Sequence, residues 1–314
     1  MDNHQIPAAD LTADRLALAK SLVVLDIGGT HVRCAAARSG AALEEVQQLS
    51  TQIFSNGDPV KVLERIIRGF AADQGLHDFD VVVGLPATLD RDMDVVLKIN
   101  NIPSLEGLKL RSMLRERFSE RVVLEHDIVL QLMGEWFAGT ARSSRSVLGV
   151  YSGTGVGGAF LLDGAPIRSK STGIEIGHIP VRNEGRRCVC GRRDCLEAYA
   201  SGRHLLDWSE KYAVPIERLF IEAKNLPSLA YEVKGFLEDQ ATAVSTAITL
   251  IDPELVVLGG GVIQMAGYPI DDLIEMIRQR LQDPELALSV RFARSMLGHS
   301  AAVYGGMCLL SKSK

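Results

Sequence analysis

Short apolar runs alternate with longer amphipathic segments along most of this chain. Apolar runs that stop at glycine or acidic residues are typical of buried strands, and they predict strands at 21–25, 31–37, 80–84, 121–125, 146–151, 159–162 and 255–258. Apolar residues at helical spacing predict helices at 58–75, 108–118, 128–138 and 228–251. Because strands and helices alternate, we predict an α/β protein.

The pattern contains an internal repeat. A strand, a glycine turn and a second strand occur at 22–37 and again at 146–162. The repeat predicts two α/β lobes, one of residues 1–125 with a returning C-terminal helix at 300–314, and one of residues 126–299. Two glycine hairpins in matching places favour a ligand that is held between the lobes.

Composition excludes several classes of function. The 314 residues are 46% hydrophobic and 23% charged, which is typical of a globular protein rather than a disordered one. A net charge of −5 without a basic run disfavours nucleic acid as a partner, and no apolar stretch reaches the ~18 residues of a membrane span. Asp2, Asp10 and Asp14 do not fit a signal peptide, so we expect a cytosolic protein.

The loop Asp-Ile-Gly-Gly-Thr at 26–30 predicts a phosphate site. Gly28 and Gly29 would allow positive φ values and a close approach to a ligand, and consecutive N–H groups in such a turn bind anions. Thr30 adds a hydroxyl group. Asp26 would repel a phosphate unless Mg²⁺ lay between them, so the loop predicts magnesium as well. The alternative is an ordinary tight hairpin turn.

Two later glycine clusters extend this interpretation. The loop at 152–158 could hold phosphates in the same way, and the glycines at 259–261 follow a predicted strand where a flat base or ribose could lie. Neither hairpin loop has the Lys-Ser/Thr of a Walker A motif or the helix that follows a dinucleotide fingerprint. Simple turns are the alternative at both positions.

Three of the five cysteines lie in one loop. His178, Cys188, Cys190 and Cys195 have the spacing His-x9-Cys-x-Cys-x4-Cys. Three thiolates and one imidazole match a closed, tetrahedral zinc site that holds a loop in place. A redox-active or merely exposed cysteine pair is the alternative.

Acidic residues near these motifs are candidates for the chemistry. Glu175 and Glu197 flank the cysteine loop, where a bound metal would hold both carboxylates still for a substrate. Asp127 stands at the end of a predicted strand, where it could accept a hydroxyl proton as a general base. The alternative role for Asp127 is a helix N-cap, and Glu175 is the rival base.

Five motifs together resemble the ROK family of repressors, uncharacterised reading frames and sugar kinases. They are Asp-Ile-Gly-Gly-Thr at 26–30, the glycine loop at 153–158, Glu-Ile-Gly-His at 175–178, Cys-Val-Cys-Gly-Arg-Arg-Asp-Cys-Leu-Glu at 188–197 and Leu-Gly-Gly-Gly-Val at 258–262. The resemblance implies a two-lobed ATPase fold of the actin-like, hexokinase type, with ribonuclease H-like lobes and a structural zinc loop. It also implies a homodimer that uses ATP, Mg²⁺ and Zn²⁺ to phosphorylate a hexose, by analogy at the 6-hydroxyl.

The resemblance further implies roles for individual residues. Asp127 would be the catalytic base, and His178 would serve both the zinc and the sugar. The implied sugar ligands are Asn101, Asp127, Glu175, His178 and Glu197, and the implied zinc ligands are His178, Cys188, Cys190 and Cys195. The implied nucleotide contacts are Asp26, Gly28, Gly29, Thr30, His31, Gly153, Thr154 and Gly155 at the phosphates, with Gly259, Gly260 and Gly261 near adenosine.

Three positions bear on the acceptor. His126 stands where Asn usually precedes the base, and Pro86-Ala87 replaces the usual Pro-Gly. Together with Thr-His-Val-Arg at 30–33 and the stretch 251–269, they are more similar to the allose-phosphorylating members than to the glucose-phosphorylating ones. Arg33 is expected as an added sugar contact. We therefore expect D-allose as the acceptor, with glucose, fructose and N-acetylmannosamine as alternatives.

A non-catalytic sugar sensor is the alternative from another functional class. Repressors of the family carry an N-terminal helix-turn-helix module of roughly 60–80 residues. Here the first predicted strand already begins at residue 21, and the base candidate Asp127 is present. We therefore expect an enzyme.

Overall fold

The computed structural model of the chain describes residues 20–38, 46–118, 121–168 and 174–311. Its strands are β1 (Ser21–Ile27), β2 (His31–Ala37), β3 (Gln47–Ser50), β4 (Phe79–Leu85), β5 (Ala87–Leu89), β6 (Val96–Ile99), β7 (Val122–His126), β8 (Ser146–Ser152), β9 (Val156–Leu162), β10 (Ala165–Pro166), β11 (Leu255–Gly259) and β12 (Arg291–Arg294). Its helices are α1 (Pro59–Asp73), α2 (Leu110–Arg115), α3 (Asp127–Phe137), α4 (Leu196–Tyr199), α5 (Gly202–Tyr212), α6 (Leu219–Glu222), α7 (Pro227–Ile251), α8 (Ile270–Arg280), α9 (Pro284–Ser289) and α10 (Ala301–Ser311). Within these ranges, no helix is both long enough and apolar enough to cross a bilayer.

The described residues fall into two compact units. The first unit runs to Ala138 and resumes at His299, and the second spans Gly139–Gly298. The first unit contains a five-stranded sheet in the order β3-β2-β1-β4-β7. In it, β1 and β2 are antiparallel around the first glycine turn, whereas β1, β4 and β7 run parallel.

The register of this sheet brings the candidate carboxylates to one edge. Asp26 of β1 pairs with Gly84 of β4, and Gly84 pairs with Glu125 of β7. Since parallel strands end at the same edge, Asp26 and the start of α3 at Asp127 both lie at the carboxyl edge of the sheet.

Helix α1 begins where the local sequence predicts. The Asp58 carboxylate accepts hydrogen bonds from the backbone N–H groups of Val60 (2.8 Å) and Lys61 (3.3 Å), and Pro59 occupies the first turn. The predicted apolar face is buried in the same core as β1 and β4, and consists of Val60, Leu63, Ile67 and Phe70.

Helices α3 and α10 pack backbone to backbone in the first unit. A Cβ atom on Gly134 would lie 1.9 Å from the carbonyl oxygen of Ala301, and one on Gly305 would lie 2.0 Å from that of Leu130. Only glycine fits at such distances. Because α3 packs on the returning helix, it belongs to the first unit, whereas the predicted division assigned residues from 126 onward to the second lobe. Of the helix predicted at 300–314, residues 312–314 lie outside the described residues.

The second unit contains a sheet of the same design. Its order is β10-β9-β8-β11-β12, with β8 and β9 antiparallel around the second glycine loop and β8, β11 and β12 parallel. The strand order and directions match those of the first sheet, so the repeat seen in the sequence is also a repeat of the fold. The 25-residue helix α7 lies where the periodicity predicts it, and its side chain Phe236 is fully buried in the core of this unit.

The second glycine loop is shorter than the sequence suggested. It was expected to span 152–158, but β9 already begins at Val156, so the loop is Gly153–Gly155. Gly158 pairs with Val150 within the sheet, and a Cβ there would lie 3.0 Å from the Ile176 side chain. The later glycines thus permit close packing on a strand.

Candidate active site

Two side chains from elsewhere in the first unit hold the first glycine turn. The Asn101 side-chain amide donates to the Gly28 carbonyl oxygen (2.7 Å), and the Thr51 hydroxyl donates to the Thr30 carbonyl oxygen (3.0 Å). Asn101, predicted as a sugar ligand, therefore supports the turn through its nitrogen. The sequence analysis missed Thr51, which no local motif marks.

The turn closes without left-handed backbone. The Gly28 N–H donates to the His31 carbonyl oxygen (2.8 Å), which joins β1 to the first residue of β2. Neither Gly28 nor Gly29 is among the described glycines with positive φ, so the predicted positive φ values are wrong here. Antiparallel pairing across the turn already brings the strands together.

Asp26 is a buried carboxylate with one unpartnered oxygen. Its side chain is 6% exposed, and Oδ2 lies 3.5 Å from a guanidinium nitrogen of Arg33. Oδ1 is buried and has no hydrogen-bond partner among the described residues. Burial, together with the charge of Asp127 and against the opposing effect of Arg33, raises the pKa of Asp26 to about 7. A carboxylate oxygen of this kind fits the ligand preference of Mg²⁺.

Asp127 occupies the first turn of α3. Its Oδ1 accepts a hydrogen bond from the Ile128 N–H (2.9 Å) and lies 3.1 Å from Nδ1 of His126. The N-cap of the helix is His126, whose Nδ1 also faces the Ile128 N–H at 3.4 Å. Asp127 makes no hydrogen bond through Oδ2 within the described residues, so that oxygen is available to accept a proton.

Gly84 lies between the two residues that carry the carboxylates. A Cβ atom on Gly84 would lie 2.8 Å from the Leu130 side chain, 3.5 Å from Cα of Asp127 and 3.6 Å from Oδ1 of Asp26. Glycine therefore leaves room for Leu130 of α3 to pack on β4, and the start of α3 lies beside Asp26. An arrangement of this kind can hold a cation on one side and deprotonate a hydroxyl group on the other.

The second glycine loop rests on the start of α5. The Gly202 N–H donates to the Gly153 carbonyl oxygen (2.7 Å), and the Arg203 N–H approaches the Thr154 carbonyl oxygen at 3.4 Å. The Glu197 carboxylate accepts a hydrogen bond from the Val156 N–H (2.9 Å), directly after the loop. Glu197, predicted as a sugar ligand, therefore also supports this loop.

The triple glycine packs on the end of β8 in the same unit. Gly260 takes φ +90°, and a Cβ there would lie 2.3 Å from the Ser152 carbonyl oxygen. A Cβ on Gly259 would lie 2.6 Å from the Tyr151 ring. Close approach to β8 accounts for both residues, and it brings the triple glycine against the strand that leads into the second glycine loop. The two predicted nucleotide motifs of this unit are thus adjacent.

The four predicted metal ligands are brought together. One ligand atom from each of His178, Cys188, Cys190 and Cys195 lies within 4.8 Å of all the others. Nδ1 of His178 is 3.8 Å from the Cys188 sulfur, and the Cys190 and Cys195 sulfurs are 3.7 Å apart, too far for a disulfide. A tetrahedron with Zn–S bonds of ~2.3 Å has edges of ~3.8 Å, so this donor set fits zinc.

A bound cation would stabilise the buried thiolates of this cluster. Burial and the neighbouring thiols raise the pKa of Cys195 to about 12, because thiolates crowded in a poorly solvated place destabilise one another. Between Cys190 and the third thiol the backbone turns through a left-handed residue, Gly191, with φ +87°, a conformation that glycine adopts without strain.

Asp194 is a structural residue of the cysteine loop (residues 178–197, called the metal loop below for its predicted metal ligands) that the sequence analysis missed. Its carboxylate accepts hydrogen bonds from the N–H groups of Glu184 (3.2 Å), Gly185 (3.0 Å) and Arg186 (3.0 Å). The Tyr199 hydroxyl donates to it as well (2.5 Å), and this bond lowers the pKa of Asp194. The available signal was an acidic residue directly before a metal-ligand cysteine.

The two units divide the predicted site residues between them. The first unit carries Asp26, Gly28, Gly29, Thr30, His31, Arg33, Asn101 and Asp127, and the second carries Gly153, Thr154, Gly155, Glu175, His178, Cys188, Cys190, Cys195, Glu197, Gly259, Gly260 and Gly261. Arg33 faces Asp26 and is otherwise largely buried. The Glu175 side chain is 57% exposed and lies 3.9 Å from Nε2 of His178.

Known proteins are similar to this chain in sequence and in fold. The chain is 26% identical to the glucokinase of Thermotoga maritima, over 93% of this chain and 97% of that one. It is 30% identical to an N-acetyl-D-glucosamine kinase of Escherichia fergusonii, over 75% and 82%. The crystal structure of the ROK hexokinase from Thermus thermophilus superposes with a TM-score of 0.74 at 28% identity, covering 93% of this chain and 97% of that one. The model of the ROK family matches residues 22–313, and the chain therefore belongs to the ROK family.

Proposed function

We propose that this protein, a sugar kinase of the ROK family, transfers the γ-phosphoryl group of ATP to a hydroxyl group of a hexose or amino sugar. The observation that carries the proposal is the pair of buried carboxylates, Asp26 and Asp127, on either side of Gly84 at one sheet edge. The relatives named as glucokinase, hexokinase and N-acetyl-D-glucosamine kinase support the acceptor class.

In this proposal Asp127 is the general base. Oδ1 is held by the Ile128 N–H and lies beside His126, which orients the carboxylate. Oδ2 then accepts the proton of the sugar hydroxyl. At the same time the hydroxyl oxygen bonds to the γ-phosphorus, and the bond between the γ-phosphorus and ADP breaks. His126 would hold the carboxylate in this orientation through its contact with Oδ1.

Asp26 would hold Mg²⁺ through Oδ1. When bound, the ion supplies positive charge that neutralises the phosphates. The remaining nucleotide contacts of the proposal are Thr30 and His31 at the first turn, the loop Gly153–Gly155, and the glycines at 259–261 near adenosine. Gly259 and Gly260 are explained by their packing on β8, whereas Gly261 has open space at its Cβ position, which suits a planar base.

The sugar ligands of the proposal are Asn101, Asp127, Glu175, His178 and Glu197. His178 directs Nδ1 toward the thiols and Nε2 toward Glu175, so a zinc ion on Nδ1 would fix the ring for a sugar contact through the opposite side. Zinc would thus act as a structural ion with His178, Cys188, Cys190 and Cys195. By the same family resemblance we propose a homodimer.

For the acceptor itself we propose D-allose. Allose and glucose differ at carbon 3 alone, so the discriminating groups should be the ones that depart from the family pattern: Arg33, Ala87 and His126. A buried polar group left unpaired costs about 1–3 kcal/mol, which predicts a kcat/KM for allose that is roughly 5- to 150-fold higher than for glucose. Glucose and N-acetylglucosamine are the competitors that the relatives suggest.

A coupled ADP-release assay tests both levels of the proposal. The panel contains allose, glucose, mannose, fructose, N-acetylmannosamine and N-acetylglucosamine, each at several concentrations. ATP-dependent turnover of any of these sugars supports the kinase proposal. If none of them causes ADP release, a non-catalytic sugar sensor is favoured. If glucose or an amino sugar has the highest kcat/KM, the allose proposal is wrong and the kinase proposal stands.

A further inference from the structure

Val156, the first residue after the second glycine loop, is held from two sides by the metal loop. Its N–H donates to Oε2 of Glu197 (2.9 Å). Its carbonyl oxygen faces the backbone of Gly177, where a Cβ would lie only 2.0 Å from that oxygen. Val156 is thus hydrogen-bonded to Glu197 through its N–H and closely packed against Gly177 at its carbonyl oxygen.

Each of the two segments that contact Val156 contains a predicted metal ligand. Gly177 directly precedes His178, and Glu197 follows Cys195 by two residues. The segments are also joined to each other, since the Leu196 N–H donates to the Ile179 carbonyl oxygen (2.9 Å). A metal bound by His178 and Cys195 would therefore join the same two segments a second time and hold them in place around Val156.

The Glu197 carboxylate is fitted closely to the glycine loop. Its side chain is 13% exposed, and Oε1 lies 3.7 Å from the guanidinium group of Arg203. A Cβ on Gly155 would lie 2.3 Å from Oε2, so the loop and the carboxylate touch where only glycine leaves room. Removing the carboxylate would leave the Val156 N–H, on a buried residue, without its acceptor.

Glu175 provides the contrast within the same loop. It too is a predicted sugar carboxylate beside a metal ligand, but its side chain is 57% exposed and its ion pair is a long one, at 3.9 Å to His178. None of the described hydrogen bonds or ion pairs of Glu175 reaches the glycine loop or Val156.

We infer that Glu197 is a positioning residue for the second glycine loop, and that the metal loop sets nucleotide affinity through it. This inference rests on the proposed function, in which Gly153–Gly155 contacts the phosphates of ATP. The inference gives different roles to the two carboxylates that flank the metal loop. Glu175 would contact the sugar alone, whereas Glu197 would contact the sugar and also position the loop that binds the nucleotide.

The test is the binding of a non-hydrolysable ATP analogue with Mg²⁺, by calorimetry and without sugar. Glu197→Ala should raise the Kd roughly tenfold or more, because a buried N–H loses a charged acceptor. Glu197→Gln keeps an acceptor oxygen for Val156 and should stay within about threefold of wild type. Glu175→Ala is the matched control, and its Kd should not change.

Two further measurements test the same inference without Glu197→Ala. If Glu197→Ala does not fold, Glu197→Asp, whose shorter side chain draws the carboxylate away from the Val156 N–H, should raise the same Kd. Wild-type protein stripped of metal by a chelator and returned to Mg²⁺ should also bind the analogue more weakly. An unchanged Kd in Glu197→Ala, or equal changes in Glu197→Ala and Glu175→Ala, would overturn this inference alone. Failure of the wild type to bind the analogue would overturn the proposed function with it.

Discussion

Replacing Asp26 by Asn should make the protein more stable above neutral pH while removing its activity. Asp26 is a buried carboxylate whose Oδ1 has no hydrogen-bond partner among the described residues, and Asp127 lies close enough to repel it. Both effects disfavour the charged form in the folded protein. The substitution to Asn removes the charge and keeps the shape, and its oxygen can still accept a hydrogen bond from Arg33.

The magnitude follows from the shift in pKa. Burial first, and the charge of Asp127 second, raise the pKa of Asp26 from 3.8 to about 7 in the folded chain. The folded state therefore binds the proton more tightly than the unfolded state, so stability is lost as pH rises from about 4 to about 7 and stays lost above it. At 1.36 kcal/mol per pH unit the full loss is on the order of 4 kcal/mol, and Asn should recover about 2–4 kcal/mol of it at pH 8.

Urea unfolding at pH 5.0 and 8.0 in magnesium-free buffer measures this difference. Fluorescence of the two tryptophans, Trp136 on α3 in the first unit and Trp208 in the second, reports the unfolding. The gain in unfolding free energy of Asp26→Asn over wild type should be small at pH 5.0 and large at pH 8.0. Asp58→Asn is the control, because Asn caps a helix as well as Asp does and should change stability little at either pH.

A gain that is equal at both pH values, or a variant less stable than wild type at pH 8.0, would refute this reasoning. Kinase activity should fall in the same variant, since Asn is a weaker ligand for Mg²⁺ than a carboxylate. Opposite changes in stability and activity would mark Asp26 as a residue kept for function at a cost in stability.

Three further predictions concern other parts of the molecule. Asp127→Asn should lower kcat by about 10²–10⁴ while analogue binding persists, and a variant with more than about a tenth of wild-type kcat would move the base to Glu175. Purified protein should hold one zinc per chain by elemental analysis, and Cys190→Ser should lose it; metal-free wild type from chelator-free buffers would contradict the site. Gly134→Ala should destabilise the chain by about 2 kcal/mol or more in chemical unfolding, because its Cβ would meet the Ala301 backbone, whereas Gly69→Ala in α1 has free space and should be neutral or stabilising.

Local signals in the sequence predicted the elements that local interactions determine. The cap at Asp58 and Pro59 gave the start of α1, and the spacing of three cysteines and His178 gave a cluster that the fold does assemble. The two glycine hairpins predicted a repeat that the two sheets reproduce in strand order. In each case the residues that form the feature are close in sequence, or carry a chemistry specific enough to recognise.

Long-range contacts account for what the sequence analysis missed. Gly158 was assigned to a loop because glycine usually marks a turn, yet here it makes room on a strand for Ile176. Thr51 supports a turn 21 residues away, which no local pattern shows. The short strands β3, β5 and β6 were not predicted either, because three or four residues carry too little pattern and their pairing partners decide them.

The contact between α3 and α10 has a consequence for how the chain is made. The first unit needs its last helix, because Gly134 and Gly305 join α3 to α10 with no space for anything larger. During synthesis α3 therefore leaves the ribosome long before its partner exists, and its apolar surface stays uncovered until α10 has been made. The second unit, continuous from Gly139 to Gly298, can fold in the meantime, so the helix that begins with Asp127 reaches its final packing only after the second unit and α10 have been synthesised.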